Sequence, residues 1–158
     1  MQKIITFLTF DNQAEEAMNF YTSVFPNARI TNIWRYGKAG PGKEGDIMAG
    51  IFEIEGQQFY TLNAGPHFTF SLAISLFVNC NTQEEIDRLW VKLTEGGGKE
   101  IQCGWLTDKY GVAWQIVPTV LMEMQADKNP DKVAAVQQAM FKMVKLDIAK
   151  LKEAYEKG

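Results

Sequence analysis

Apolar positions in the first part of the chain follow two different periods. Residues 3–10, which read KIITFLTF, are β-branched and aromatic and therefore predict a strand. Asp11 or Asn12 is the predicted N-cap of a helix that follows, and Glu15 and Glu16 suit the positive end of its dipole. The apolar residues of this second stretch recur at the spacing of one helical face: Ala14, Ala17, Met18, Tyr21, Val24 and Phe25.

Three more strands complete this half of the pattern. They are predicted at residues 29–36, 46–55 and 57–63. Glu55 and Gly56 lie between the last two and predict a tight hairpin. The predicted element order is therefore βαβββ.

The second half of the chain repeats this order. Residues 70–80 predict a strand, and NTQEEIDRLWVKLTEGGG predicts a helix that its glycines end. Strands are predicted around residues 99–106 and after a turn at Asp108 to Gly111. A constant shift of 69 residues aligns four helix residues of the two halves, Asn12, Glu15, Glu16 and Tyr21 with Asn81, Glu84, Glu85 and Trp90. We therefore predict an internal duplication.

One polar residue interrupts the final strand. At a period of two, Gln115 lies on the face opposite to that of three apolar neighbours, Val112, Trp114 and Ile116. A buried amide without hydrogen-bond partners costs about 1 to 3 kcal/mol. Gln115 is therefore either satisfied structurally or lines a polar pocket.

After Pro118 the pattern is helical and contains no strand. Asn129 and Pro130 predict a helix start, with Asn as N-cap and Pro as the first helical residue. The apolar stripe of that helix consists of Val133, Val136, Ala139, Met140, Met143 and Val144. A second short helix is predicted from Asp147. This extension packs either on the duplicated core or against another subunit.

Composition and charge narrow the classes of function. The chain has 158 residues, 46% of them hydrophobic and 22% charged, which is the profile of one globular domain. Its net charge of -3, with no Lys/Arg cluster, excludes nucleic acid as the expected partner. No apolar run approaches the roughly 20 residues that span a bilayer, and the N-terminus lacks the apolar core of a signal peptide, so no membrane association is predicted. Two cysteines without metal-ligand spacing favour a cytoplasmic location.

The duplicated order and two phrases, AEEAMNFY in the first helix and CGWLTDKYGVAWQIVP in the second half, resemble the vicinal oxygen chelate superfamily. This superfamily includes glyoxalases, bleomycin-resistance proteins and extradiol dioxygenases, and the chain is similar to its PhnB-like, or demethylubiquinone methyltransferase-like, branch. The resemblance implies an α+β fold in which residues 1–118 form paired βαβββ modules, at 3–66 and 67–118. Residues 119–158 would then be a helical extension of the same domain. It also implies a cavity in each curled sheet and, commonly, a homodimer.

The resemblance further implies where a binding site would lie. Metal-dependent members take one ligand from the first and one from the last strand of each module. Four residues after the hairpin glycine stand Tyr60 in the first module and Gln115 in the second, while the repeat shift pairs Thr6 with Ser75. None of these four is an imidazole or a carboxylate, the groups that divalent transition metals prefer. We therefore predict no cofactor, with a divalent metal as the alternative, and add Trp105 as an aromatic wall of the pocket.

Three functions follow as hypotheses. The first is a small-molecule-binding protein of the bleomycin-resistance type, in which the four polar side chains orient an uncharged or anionic ligand. The second is a lyase, isomerase or dioxygenase with an atypical site. The third is the methyltransferase that the branch name suggests. A nucleotide-type cofactor would require a glycine-rich turn that opens a helix, whereas the glycines at 96–98 end one. A fourth possibility is structural: the polar set satisfies itself in a closed core.

Two other residues could carry chemistry. His67, the sole histidine, lies between the modules and is interpreted as a surface or packing residue, with general base as the alternative. Cys103 is interpreted as an inert thiol, with nucleophile as the alternative.

Overall fold

The computed structural model describes residues 2–158, which divide into two compact units with the boundary between Thr69 and Phe70. The first unit has the predicted order βαβββ. Its elements are β1 (Thr6–Phe10), α1 (Ala14–Val24), β2 (Ala28–Arg35), β3 (Ile47–Ile54) and β4 (Gln57–Asn63). The strands form one sheet in the order β1-β4-β3-β2, with β1 parallel to β4 and the other pairs antiparallel.

The second unit repeats this topology. Its sheet has the order β5-β8-β7-β6, again with the first and last strands of the module in parallel. The elements are β5 (Ser75–Cys80), α2 (Gln83–Thr94), β6 (Lys99–Glu100), β7 (Trp105–Thr107) and β8 (Ala113–Pro118), followed by α3 (Thr119–Gln125), α4 (Pro130–Phe141) and α5 (Ile148–Lys157). The α+β class, the tandem βαβββ modules and the C-terminal helices are as the sequence predicts.

In the first unit, helix α1 packs on one face of the sheet through aromatic rings. Tyr21 stacks on Phe52 with a centroid distance of 5.6 Å, and Phe52 stacks on Phe59 at 5.0 Å. All three side chains are buried. Gly50 lies beneath Met18, whose side-chain atoms would be 2.6 Å from an added Cβ, so a glycine at this strand position lets the helix approach. Burial of this apolar face is what stabilises the βαβββ module.

In the second unit, helix α2 takes the corresponding place. Its buried face consists of Ile86, Leu89, Trp90 and Leu93. The turn before β8 is held by the buried carboxylate of Asp108, which accepts hydrogen bonds from the backbone N–H groups of Tyr110 and Val112 and from Trp114 Nε1, at 2.9, 3.0 and 2.9 Å. Asp108 is thereby satisfied as a structural group.

The C-terminal helices have their own apolar cluster within the second unit. Val117, which lies on the face of β8 opposite to Ile116, packs with residues of the helices and their connection, namely Leu121, Met124, Val136, Leu146 and Leu151. Asn129 caps α4 by accepting from Asp131 N at 3.0 Å, and Asp147 caps α5 by accepting from Lys150 N at 3.1 Å. Both helix starts are as predicted.

Several local predictions are wrong. The apolar stripe predicted to reach Val144 extends past the end of α4 at Phe141, and the strand predicted at residues 70–80 begins only at Ser75. The strand expected around residues 99–106 is broken into β6 and β7, because Cys103 (φ 61°) and Gly104 (φ 82°) turn the chain between them. The cap of α1 is not Asp11 or Asn12. Gln13 occupies the N-cap position without a side-chain bond, and Asn63 of β4 accepts from Ala14 N at 2.9 Å instead.

Candidate functional site

The sequence-predicted pair Gln115 and Ser75 is in direct contact. Gln115 Nε2 donates a hydrogen bond to Ser75 Oγ at 2.8 Å, and both side chains are half-buried. Gln115 Oε1 accepts no hydrogen bond from the described residues. Since every fully buried side-chain N or O atom among residues 2–158 has a partner, Oε1 must be accessible to solvent.

Two aromatic residues lie on either side of this amide. In the sheet register, Phe77 of β5 and Trp105 of β7 are the neighbours of Gln115 on the strands that flank β8. Neighbours in register project from the same face of a sheet. Trp105 is half-buried and Phe77 is 46% exposed. The second unit therefore presents an amide between two aromatic side chains, on the sheet face opposite to α2.

In the first unit, Tyr60 and Thr6 lie on different faces of the sheet. Thr6 is the register neighbour of Phe59, whose ring is buried in the core. Tyr60 is instead the neighbour of Phe7, and the two rings are 6.1 Å apart. Phe7 is 53% exposed, so it and Tyr60 form the face opposite to α1.

The expected equivalence of Thr6 and Ser75 is therefore wrong by one residue. Phe7 of β1 is the register neighbour of Tyr60, and Phe77 of β5 is the register neighbour of Gln115. Phe7 therefore corresponds to Phe77, which relates β1 to β5 by a shift of 70 residues. The helices keep the shift of 69, because three residues connect β1 to α1 and two connect β5 to α2. A slip of one residue moves a strand side chain to the opposite face.

The strand register shows which side chains stand where a divalent metal would have to be bound. The first-strand positions beside Tyr60 and Gln115 are occupied by phenylalanine, which offers no ligand atom. Phenol and amide oxygens alone are weak ligands for divalent transition metals. Among residues 2–158 no group of three or more His, Cys, Asp or Glu side chains is arranged to hold a metal ion. These residues do not fit the divalent centre of the metal-dependent relatives.

The remaining reactive side chains lie in different settings. Burial raises the pKa of the Cys80 thiol to about 12, Glu85 adds to the rise, and Arg88 opposes it. Cys103 is half-buried in the turn before β7, and His67 is exposed in the segment after β4. Both Cys80 and Cys103 are free thiols.

Sequence reasoning missed a polar cleft of about 680 Å³ in the first unit. Arg35 crosses it, donating from Nη2 to Glu15 Oε1 at 2.9 Å and from Nη1 to Gly45 O at 2.9 Å. Asp11 and Asp46 add two more carboxylates to its lining. The lining residues are scattered between positions 11 and 65, so no sequence motif marks the cleft.

The two βαβββ sheets, with their first and last strands parallel, define a protein of the vicinal oxygen chelate superfamily. Within it the chain belongs to the family described as 3-demethylubiquinone-9 3-methyltransferase, whose model matches residues 2–117, and is PhnB-like.

Solved structures support this assignment. A PhnB protein from Bacillus cereus is 45% identical, with a TM-score of 0.69, and the match covers 75% of this chain and 100% of that one. A Pseudomonas aeruginosa protein (21% identity, TM-score 0.62, 75% and 98% covered) and the fosfomycin resistance protein FosX of Mesorhizobium loti (14%, 0.53, 80% and 100%) share the fold. No curated protein matched the sequence. None of the helices in residues 2–158 has the length and apolar character needed to cross a bilayer.

Proposed function

We propose that the chain is a small-molecule-binding protein that holds its ligand on the Gln115 face of the second sheet without a divalent metal. The observation that carries this proposal is the row formed by Phe77, Gln115 and Trp105 on three adjacent strands. Binding pockets combine apolar and aromatic walls with a few polar groups that fix the ligand's orientation. An accessible amide between two aromatic side chains has that composition.

Ser75 gives the amide a defined orientation. Because Nε2 donates to Ser75 Oγ, Oε1 is left as the free acceptor. The second N–H of Nε2 can donate as well. The site therefore suits an uncharged or anionic molecule with an aromatic or apolar body, a hydrogen-bond donor for Oε1 and an acceptor for Nε2.

The metal-free part of the proposal rests on the first strands. Phe7 and Phe77 stand where metal-dependent relatives would need ligands, and aromatic rings at these places favour stacking on a ligand. Tyr60 beside Phe7 gives the first unit a similar polar and aromatic pair. Thr6 has no part in the proposal, because it lies on the face that packs on α1.

A thermal-shift screen of small aromatic compounds and phosphonates, run in EDTA, tests the proposal. Compounds that raise the melting temperature of the wild type should lose most of that shift with Gln115→Ala. The matched control is Gln57→Ala, an exposed glutamine of the first sheet, which should respond like the wild type. Ligand shifts that are identical in both variants, or that require added metal, would contradict it. Tyr60→Phe tests the corresponding position of the first unit by itself.

The family description names a methyltransferase, and this alternative has its own test. Calorimetric titration with adenosylmethionine should give no heat above dilution if the chain is a binding protein of the proposed kind. Saturable binding of adenosylmethionine would favour the methyltransferase. Stoichiometric Fe, Mn, Ni or Zn surviving dialysis would favour a metal-dependent lyase, isomerase or dioxygenase.

The proposal extends to assembly and location. Phe7 and Phe77 are large, apolar and exposed on the two sheet faces, and such surfaces commonly mark interfaces. We expect a homodimer, which sedimentation equilibrium would detect as twice the chain mass of 17.9 kDa. Two free thiols suit the reducing cytoplasm, where we place the protein.

A further inference from the structure

A groove of about 490 Å³ runs between α4 and α5, and none of its lining residues belongs to the second sheet. Gly158 at the end of α5 lies against Lys132 and Ala135 near the start of α4, so the two helices are antiparallel. The floor consists of short or flexible apolar side chains, Ala135, Ala139, Met143 and Ala154, all half-buried. The groove is within the size range of small-molecule sites.

Lysines form the rim of this groove, and their charges are not equally neutralised. Lys157 pairs with Glu153, whereas Lys150 has only a 3.7 Å contact with Asp147. Lys142 forms no ion pair with any of residues 2–158. Lys142, where α4 stops, therefore carries a positive charge without an ion-pair partner in this part of the chain, and Lys150, near the start of α5, is paired only through the longer contact.

A second, polar cleft of about 440 Å³ continues from that same end. It shares Lys142, Met143 and Lys150 with the groove and adds Lys145, whose charge is paired with Asp87. The combined surface is thus apolar along the helices and carries three lysines and two aspartates, Asp87 and Asp147, at one end. These five groups have a net charge of +1, whereas the whole chain has a net charge of -3.

We propose that the α4–α5 groove binds a long-chain carboxylate, with the head group at Lys142 and Lys150 and the tail along the alanine floor. Charge-assisted hydrogen bonds from the two ammonium groups would hold the carboxylate. The tail would cover the alanines and Met143, a side chain that adapts to irregular apolar shapes. The aliphatic stem of Lys157, with its charge taken up by Glu153, would line the far end.

Calorimetric titration with laurate, below its micelle-forming concentration, tests this site. One laurate should bind per chain. Acetate, which lacks the tail, should bind much more weakly, and so should dodecyltrimethylammonium, which reverses the charge of the head group. The double variant Lys142→Ala/Lys150→Ala should weaken laurate at least about tenfold, the loss expected when charge-assisted bonds are removed. Ala139→Leu, which fills the floor with a good helix former, should weaken it without touching either lysine.

Lys92→Ala is the matched control, since Lys92 is an exposed helical lysine of α2 paired with Glu95. It should bind laurate as the wild type does, and circular dichroism should show all variants folded. Absence of laurate binding, equal binding of dodecyltrimethylammonium, or binding unchanged in both groove variants would each overturn the proposal. If the double variant instead alters the sedimentation of ligand-free protein, the occupant is a second copy of the chain, and the proposal is wrong.

Discussion

Gln115 and Ser75 are joined by a hydrogen bond of 2.8 Å between Nε2 and Oγ, although 40 residues separate them in sequence. The bond links the first and last strands of the second module, which run in parallel. It fixes the amide so that Oε1 points away from Ser75 and remains accessible. A polar residue in an otherwise apolar strand is thereby both satisfied and available to a ligand.

This bond should contribute measurably to stability. A double-mutant cycle of Gln115→Ala and Ser75→Ala, followed by urea unfolding, should give a coupling free energy of about 0.5 to 1.5 kcal/mol, the usual net worth of a hydrogen bond. The exposed bond from Thr119 Oγ1 to Asn81 Oδ1, at 3.3 Å, provides the comparison cycle and should couple less. Equal coupling in the two cycles would mean that the Gln115 bond has no special protection from solvent.

Gly104 should tolerate no side chain. Its φ is +82°, and an added Cβ would lie 2.9 Å from Ile116 O, so Gly104→Ala should lower the free energy of unfolding by about 2 kcal/mol or more. Gly37→Ala is the control, because nothing lies within 4 Å of its Cβ position and its φ is not positive. The control should change stability by less than about 1 kcal/mol. Similar losses in both variants would contradict the geometry at Gly104.

The two thiols should differ sharply in reactivity. With Cys80 fully buried and its pKa raised to about 12, roughly one thiol in ten thousand is ionised at pH 8. An aromatic disulfide reagent should therefore titrate at most one thiol per native chain, Cys103, and two after denaturation. Cys103→Ser should remove the native reaction completely. Rapid labelling of that variant without unfolding would show that Cys80 is accessible.

The bond from the Tyr155 hydroxyl to Asp127 should make stability depend on pH at both extremes. The bond lowers the pKa of the Asp127 carboxyl. Its stabilising effect through Asp127 is therefore present above the ordinary aspartate pKa of about 3.9 and is lost as the pH falls through the pKa of the folded state. The bond raises the pKa of the Tyr155 hydroxyl, so its stabilising effect through Tyr155 is present below the ordinary tyrosine pKa of about 10 and is lost as the pH rises through the pKa of the folded state.

The variant that tests this bond is Tyr155→Phe. The difference in unfolding free energy between wild type and variant should be greatest between about pH 5 and 9 and should shrink on either side. Lys132, which lies 4.4 Å from the Tyr155 ring centroid, stays in place in the variant and can still contact a ring. A difference that is constant from pH 3 to 11 would count against the bond.

The fold could be predicted because its signals are local. The helical period, the N-cap at Asn129, the helix start at Asp147 and the hairpin at Glu55 and Gly56 each depend on a few neighbouring residues. The break between β6 and β7 could not be predicted in this way. It depends on hydrogen bonds from Cys103 N and Gly104 N to Met143 O and Val144 O, 40 residues away in the chain.

The candidate site was only partly predictable for a related reason. The position four residues after a hairpin glycine places Tyr60 and Gln115 on one face of each sheet, since that count stays within one strand and its turn. The helix repeat predicts that Thr6 corresponds to Ser75, but the connection from β5 to α2 is one residue shorter than that from β1 to α1, so the strands do not follow the helix repeat. Because side chains alternate between the two faces of a strand, an error of one residue assigns a side chain to the wrong face.

The side-chain amide of Gln115 reports directly on whether a ligand binds at this face of the second sheet without a metal. Its nitrogen–proton signals can be assigned by their loss in Gln115→Glu, and then followed in EDTA while the best compound of the thermal-shift screen is added. If Gln115 binds the ligand without a metal, these signals should shift progressively and saturate as the ligand is added, with no metal present. Signals that stay fixed while the ligand binds, or that move only when a divalent metal is restored, would contradict metal-free binding at Gln115.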